Sequence, residues 1–169
     1  MPGNFQFREP GTWPPITERV KCYLIEHGPE KNKLENYPNT ISAAGNRHFR
    51  ANGFIKTLPN GENIDPQWLL YGISNNAMYC FPCMLYSVTK NCNLSDPLKG
   101  FNNWSHLSPR VPEHENSSEH RTCYMMWKDL EKRLKEGKTI DDEFQKAITM
   151  EKEKWQNILK VVVDTVMFC

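Results

Sequence analysis

Long hydrophobic runs are absent from this 169-residue sequence, and neither sign of charge predominates. The longest purely aliphatic run is the three valines at 161–163, so we expect no transmembrane helix, which needs about 20 apolar residues. The first residues have no basic flank and no apolar stretch, so we expect no secretory signal. Lysine and arginine total 21 against 20 aspartate and glutamate. The overall charge therefore gives no support for a nucleic-acid partner, which would have to bind a local patch.

Enzyme signatures are missing as well. The sequence contains no phosphate-binding glycine loop, no Gly-x-Ser-x-Gly and no His-Glu-x-x-His. Glu115 and Glu119 flank two histidines, but surface solubility explains these carboxylates as well as acid–base chemistry does. We therefore expect a protein that is not an enzyme and has no catalytic residue.

The six cysteines, at positions 22, 80, 83, 92, 123 and 169, carry more information. Without a secretory signal, a reducing compartment is the better expectation, and there a close cysteine pair is more often a metal ligand than a disulfide. Cys80 and Cys83 form such a pair. The alternatives for them are a redox pair, which would want a βαβ context and cysteines that open a helix, or two buried thiols.

The pattern along the chain predicts an α+β protein in three parts. Residues 1–46 contain a short helix at 16–27, ended by Gly28-Pro29, and then an exposed linker. Residues 47–136 form a small module in which a β-hairpin, with strands at 67–72 and 77–81, packs on helices. Ser108-Pro109 predicts one helix start, and a longer helix covers 118–136. Residues 137–169 carry an apolar stripe typical of an amphipathic helix.

The strongest motif is Cys80-x2-Cys83 followed by His114 and His120. A Cys-x2-Cys at the end of a strand forms a tight knuckle that aims two thiolates at one point. Two histidines six residues apart reach the same ion if the helix is interrupted or if the first histidine lies near the start of the helix. Four nitrogen and sulfur ligands predict a closed, tetrahedral, structural Zn²⁺ site. Cys123 remains open as a replacement for either histidine, whereas we expect Cys92 to be a bystander.

The spacing excludes the commonest zinc finger. Thirty residues separate Cys83 from His114, whereas the ordinary Cys2His2 finger has about 12 between its pairs. The chain is therefore not the ββα finger that reads three base pairs with one helix. His106 also competes as a ligand, although a surface position explains it better.

Cations interspersed with aromatic side chains are the candidates for contact with DNA. Residues 47–61 contain no acidic side chain, and further cations surround the region that follows the cysteine pair. Phosphate contacts need such cations, and aromatic side chains can stack on bases or wedge between them. An aromatic core explains the tryptophan among them equally well. The candidates are Arg47, Arg50, Lys99, Trp104 and Arg110.

Four spaced blocks in this region resemble a known family. They are Trp68-Leu69-x-Tyr71, Tyr79-Cys80-Phe81-Pro82-Cys83-x-Leu85-Tyr86-Ser87, Gly100-Phe101-x-x-Trp104-x-x-Leu107 and His114-Glu115-x-Ser117-x-x-His120. In this order they resemble the TTF-type zinc finger of hAT-superfamily transposases and of their domesticated MYM-type zinc-finger-like relatives. The resemblance covers about residues 47–136.

The resemblance implies a nuclear, zinc-dependent module that binds double-stranded DNA and is akin to BED fingers. By position, it implies Zn²⁺ ligation by Cys80, Cys83, His114 and His120. The acidic residues and the RNase H-like core of such transposases lie downstream of the matching region, so we expect no DNA cleavage from this chain. The final helix resembles the segment that leads into a transposase core.

Two functions follow as competing hypotheses. The first is a non-catalytic, zinc-dependent DNA-binding module derived from a hAT-type transposase. The alternative is a zinc-structured adaptor for protein interactions, which would use the C-terminal amphipathic helix to bind a protein partner or a second copy. The near-neutral charge favours the adaptor and the family resemblance favours DNA.

Overall fold

The computed structural model describes residues 9–42, 45–89, 92–137 and 150–151. The chain divides into two compact units, residues 1–130 and 131–169. The described part is an α+β structure of small hairpins and helices, as the sequence predicts. No helix within these ranges is both long and apolar enough to cross a bilayer. The amphipathic helix predicted after residue 137 lies almost wholly outside the described residues.

Ten helices and strands make up the described part, joined by short 3₁₀ turns at 10–12, 51–54, 93–95 and 104–106. The helices are α1 (Glu18–His27), α2 (Phe81–Tyr86), α3 (Leu107–Asn116) and α4 (Ser118–Lys135). The strands are β1 (Asn39–Ser42), β2 (Gly45–His48), β3 (Lys56–Thr57), β4 (Asn63–Ile64), β5 (Leu69–Gly72) and β6 (Ala77–Cys80). Each sheet is a two-stranded antiparallel hairpin.

The β5–β6 hairpin is buried along both strands, and it pairs Leu69 with Cys80 and Gly72 with Ala77. Its turn is fixed from a distant part of the chain. Oε2 of Glu9 accepts hydrogen bonds from the backbone N–H groups of Ile73 at 2.9 Å and Ser74 at 3.2 Å. These bonds satisfy backbone N–H groups of the turn that have no partner in the strand pairing. The turn of the hairpin predicted at 67–81 is therefore held in one conformation.

A glycine brings the chain back onto this hairpin. Gly100 has φ +62°, and a Cβ built there would lie 2.6 Å from Cβ of Ala77 and 2.6 Å from Cζ of Tyr79. Phe101 then exchanges backbone hydrogen bonds with Met78 at 2.8 and 2.9 Å. The left-handed conformation and the close approach both require glycine at this point.

The segment predicted as a linker contains strand β1 and the start of β2, which pair as a hairpin. Strands β1 and β2 pair Thr40 with Arg47, although their sequence shows no hydrophobic alternation. Tertiary contacts hold the hairpin instead, since the Thr40 hydroxyl accepts hydrogen bonds from Nε1 of Trp104 at 2.9 Å and from Nδ2 of Asn76 at 2.8 Å. Contacts between residues so far apart in sequence leave no periodic signal.

Phe49 lies at the centre of an aromatic core and is 1% exposed. Its ring centroid is 4.7 Å from Tyr37, 5.1 Å from Phe54, 5.4 Å from Tyr71 and 5.4 Å from Trp104. Edge-to-face and offset arrangements of this kind add about 0.5–1.5 kcal/mol per pair to the area that they bury. Aromatic rings thus provide much of the core that a low aliphatic content cannot.

Helices α3 and α4 follow each other with one extended residue between them. Ser117 has φ −67° and ψ 146°, which ends α3, and its Oγ accepts a hydrogen bond from the His120 N–H at 3.2 Å at the start of α4. Helix α4 has nearly the predicted bounds. Helix α3 begins at Leu107 rather than after an N-cap at Ser108, because the preceding 3₁₀ turn at 104–106 runs directly into it.

Candidate functional site

Local structure places the two cysteines. Cys80 is the last residue of β6 and the N-cap of α2, and Cys83 lies in the first turn of this six-residue helix, after Pro82. The pair therefore opens a helix as well as closing a hairpin, which the sequence pattern did not predict. The position of the pair is therefore compatible with a redox role as well as with a metal site. The other side chains near the two sulfur atoms distinguish between these two roles.

The helix break at Ser117 places the two histidines. His114 lies in the last turn of α3, where its carbonyl accepts hydrogen bonds from Ser117 N at 3.0 Å and Oγ at 2.7 Å. His120 lies in the first turn of α4. Residues six apart on a continuous helix point in different directions. The break turns both rings toward one point, which is the first of the two arrangements that the sequence allows.

The four predicted side chains converge on one buried point. Their ligand atoms, Sγ of Cys80, Sγ of Cys83, Nε2 of His114 and Nδ1 of His120, all lie within 4.8 Å of one another. The shorter separations are 3.2 Å from Cys80 to His120, 3.4 Å from Cys83 to His114 and 3.2 Å between the two histidines. Ligands at usual zinc bond lengths lie about 3.3–3.8 Å apart on a tetrahedron. The donor set and its geometry are consistent with a zinc site.

Burial sets the protonation of this cluster. Desolvation lowers the pKa of His114 to about 4, with smaller contributions from His120 and Arg110. Desolvation also lowers the pKa of His120. Both rings are therefore neutral near pH 7, which is the form that binds a metal. The ring of Trp68, 4.6 Å from that of His120, lies over the cluster and is itself buried.

Cys123, the alternative ligand of the sequence analysis, supports the cluster from outside it. It does not belong to the four-residue group, but it is buried and forms a hydrogen bond with Cys83. This bond lowers the pKa of Cys83, while a hydrogen bond with Cys80 and burial raise it by more. His106, the other competitor, is exposed and contacts Asn103 and Ser105.

Cys92 is not the bystander that its loop position predicted. Its Sγ lies 3.4 Å from Nδ1 of His114, the ring nitrogen opposite the one that faces the cluster. The sequence carries no spacing signal for this contact, because the loop that brings Cys92 to the ring has no periodic pattern.

The two glutamates beside the histidines have structural partners. Oε1 of Glu119 accepts hydrogen bonds from Ser87 Oγ at 2.6 Å and Thr89 Oγ1 at 2.8 Å, which ties α4 to the end of α2. Oε2 of Glu115 lies 2.6 Å from Nζ of Lys56. These contacts explain both carboxylates without acid–base chemistry.

A groove of about 960 Å³ lies between β2, β3 and one side of α3, and we call it the basic groove. Ile55, Trp104 and Val111 contribute apolar surface to it, and Glu115 is the acidic residue among its described lining. The basic side chains that line it are Arg47, His48, Arg50 and Lys56.

The five DNA-contact candidates divide into two groups. Arg47, Arg50 and Trp104 line the basic groove, and both arginines are exposed. Trp104 has its indole N–H bonded to Thr40 and its ring against Phe49, so packing accounts for its contacts. Lys99 and Arg110 lie outside the groove, and Nη1 of Arg110 pairs with Glu113 at 2.8 Å.

The hairpin, the helix break and the buried Cys2His2 cluster together define a zinc-finger protein. Comparison with known proteins identifies a relative of that class. The chain is 32% identical over 134 residues to Zinc finger MYM-type protein 5 of Homo sapiens and of Macaca fascicularis, and 30% identical over 132 residues to that of Mus musculus. We conclude that the chain is distantly related to Zinc finger MYM-type protein 5.

The alignments cover most of this chain but little of the relatives. They include 79% of this sequence and 19% of the human and macaque proteins, and 78% and 20% for the mouse protein. The chain thus spans about one fifth of the length of the relatives it matches. No family model matches the sequence, and no solved structure matches the fold.

Proposed function

We propose that this chain is a zinc-organised, non-catalytic module that binds double-stranded DNA through the basic groove. In this proposal Cys80, Cys83, His114 and His120 hold one Zn²⁺. The observation that carries the DNA part of the proposal is the convergence of Arg47, His48, Arg50 and Lys56 on one groove in a chain of near-zero net charge.

The zinc would act on the groove through helix α3. This helix carries His114 toward the cluster and carries Leu107, Val111 and Glu115 along the groove wall. Metal ligation at its C-terminal end fixes the helix, and metal-binding free energy becomes folding free energy in small domains. The metal would therefore set the position of one groove wall without touching DNA.

The charges in the groove suit a phosphate backbone. Arginine forms paired hydrogen bonds with phosphate oxygens, and each neutralised phosphate releases counterions, which makes binding salt-dependent. The exposed strand β2 and the segment that follows it carry Arg47 and Arg50 close together in sequence. Such cations position a duplex and do not by themselves read its sequence.

Binding of a fluorescent duplex to zinc-loaded protein at several salt concentrations tests the proposal. We expect the double variant Arg47→Ala/Arg50→Ala to bind more weakly and to reduce the log–log salt slope by up to about 2. The control Arg19→Ala/Lys132→Ala removes the same charge from exposed positions outside the groove and should leave the slope unchanged. Equal effects of the two variants, or salt-independent binding by the wild type, would contradict the groove as the DNA site.

Origin and location complete this proposal. The resemblance to the TTF-type finger of hAT-superfamily transposases supports descent from such an element, and DNA binding would place the protein in the nucleus. The adaptor alternative depends on the helix after residue 137, which lies almost wholly outside the described residues. Zinc-loaded protein that binds no duplex at low salt would favour that alternative.

A further inference from the structure

Cys92 lies against the outer side of His114, away from the cluster. Nε2 of His114 faces Sγ of Cys83 at 3.4 Å and Nδ1 of His120 at 3.2 Å. Nδ1 of the same ring faces Sγ of Cys92 at 3.4 Å. Both nitrogens of the imidazole are thus engaged, one toward the cluster and one toward Cys92.

The direction of the outer hydrogen bond follows from the inner contact. A ring that offers the Nε2 lone pair to a metal carries its proton on Nδ1, so Nδ1–H donates to the Cys92 sulfur. Nη2 of Arg110 lies 3.5 Å from the same sulfur, and a guanidinium can only donate. The sulfur of Cys92 therefore accepts from both neighbours.

We propose that Cys92 is a positioning residue for the metal centre: its sulfur accepts the Nδ1–H of His114 and so fixes the tautomer and the orientation of that ring. Partners of this kind, which hold a metal-binding histidine by its other nitrogen, are a general part of zinc sites, and their loss weakens metal binding. The inference rests on the proposed ligand role of His114.

The surroundings hold Cys92 in place for this role. Its carbonyl accepts hydrogen bonds from Ser95 N at 2.8 Å and from Ser95 Oγ at 2.7 Å. On the other side of Cys92, Arg110 lies one helical turn before His114 on α3. Its Nη1 donates a hydrogen bond to Oε2 of Glu113 at 2.8 Å, which holds the guanidinium in place. Glu113, Arg110, Cys92 and His114 form a chain of contacts that ends at the cluster.

This proposal also assigns Arg110 a role at the metal centre. The sequence predicts it as a DNA contact, whereas its contacts with Cys92 and Glu113 direct its guanidinium toward the metal centre. Arg110→Ala should then weaken zinc binding, while a role in phosphate binding would appear as a smaller salt slope with unchanged zinc affinity.

Zinc affinity, measured by competition with a chromophoric chelator, tests the proposal on Cys92→Ala and Cys92→Ser. We expect Cys92→Ala to bind one zinc about 10-fold more weakly than the wild type. Cys92→Ser should recover part of this loss because a hydroxyl also accepts a hydrogen bond. Cys22→Ala, on α1, is the matched control and should bind zinc as the wild type does.

Two spectroscopic measurements exclude a purely structural effect. Long-range ¹H–¹⁵N spectra of the zinc-loaded wild type should show His114 protonated at Nδ1, and this signal should shift in Cys92→Ala. The absorption spectrum of the cobalt-loaded Cys92→Ala protein should keep the sulfur-to-metal bands of two thiolates. An Nε2–H tautomer in the wild type, unchanged zinc affinity of Cys92→Ala, or no recovery by serine would overturn the proposal.

Two further outcomes distinguish a failure of the role proposed for Cys92 from a failure of the proposed set of zinc ligands. If cobalt-loaded Cys92→Ala shows a sulfur-to-metal band intensity lower than the wild type by that of one thiolate, Cys92 is itself a ligand and the positioning role is wrong. If His114→Ala keeps wild-type zinc affinity, the proposed ligand set fails, and the role of Cys92 fails with it.

Discussion

The ammonium nitrogen of Lys56 lies 2.6 Å from Oε2 of Glu115 within the basic groove. The two side chains are 39% and 25% exposed, so the pair is partly screened by water. The pair nevertheless neutralises Lys56, one of the four basic side chains that line the groove. It also puts a carboxylate at the position where a DNA phosphate would bind. Glu115 is therefore expected to oppose the binding of an anionic ligand.

Replacing Glu115 with glutamine should strengthen DNA binding. The amide keeps the size of the side chain but removes its charge, which releases Lys56 for a phosphate and raises the log–log salt slope by about 1. Fluorescence anisotropy with one duplex across a salt series measures both effects. Glu18→Gln, which removes the partner of Lys21 on α1 outside the groove, is the control and should change neither, whereas weaker binding by Glu115→Gln would contradict the expectation.

Native mass spectrometry should detect one zinc ion per chain in the wild type. Cys80→Ser and His114→Ala should each lose the metal or hold it loosely, because a closed four-ligand site has no spare donor. Cys22→Ser and His106→Ala remove the same residue types outside the cluster and should keep it. Loss of metal in Cys80→Ser but retention in His114→Ala would point to Cys123 or Cys92 as the fourth ligand.

Removal of zinc should lower stability and should loosen helix α3 in particular. Hydrogen exchange of backbone amides, measured with and without a chelator, would report the effect along the chain. We expect the greatest loss of protection at 107–116 and 118–123, because both segments bear a histidine of the cluster. The β1–β2 hairpin, which Trp104 and Asn76 hold, should change less. Equal loss in both regions would contradict this order.

Gly100→Ala should destabilise the protein by more than about 2 kcal/mol, since a methyl group there meets Ala77 and Tyr79 at 2.6 Å and the backbone has φ +62°. Gly61→Ala is a matched control, with φ +83° and no atom within 4 Å of the new Cβ. It should cost about 1 kcal/mol for the left-handed backbone alone. Urea unfolding of both variants would measure the difference, and equal costs would show that the close approach at Gly100 relaxes.

Tyr71 should make stability fall in alkali. Burial raises the pKa of Tyr71 to about 12, with Tyr37 and Glu9 adding to the shift. In the unfolded chain tyrosine ionises near pH 10, so between about pH 10 and 12 the unfolded state has lost a proton that the folded state retains. The contribution is complete below pH 10 and is lost as the pH rises. In Tyr71→Phe the decrease in unfolding free energy between pH 9 and 10.5 should be smaller, and an identical decrease would contradict the assignment.

The sequence predicted those parts of the site that lie in regular hairpins and helices. The β5–β6 hairpin has turn residues between two apolar segments, and α4 has a helical stripe, so Cys80 and His120 could be placed from sequence. The spacing of the histidines excluded one continuous helix, because residues six apart on such a helix cannot bring both rings to one ion. It left open whether the helix is interrupted or the first histidine lies near a helix start, and the structure shows the interruption.

Long-range contacts determine the parts that sequence reasoning did not predict. The β1–β2 hairpin has polar strands, and the hydroxyl of Thr40 joins it to Trp104, 64 residues away. Cys92 reaches His114 from an irregular segment across 22 residues. The N-cap role of Cys80 in α2 depends on a helix of only six residues, too short for a periodic signal.

The 30 residues between Cys83 and His114 have an evolutionary consequence. Loop-closure entropy grows only with the logarithm of length, so doubling such a segment costs about 0.6 kcal/mol. The four ligands lie at the end of a hairpin and at a helix break, and both remain intact when the connection lengthens at a point that leaves Cys92 and α3 in place. A lineage could therefore insert new surface there, with new binding properties, and keep the same ion in place.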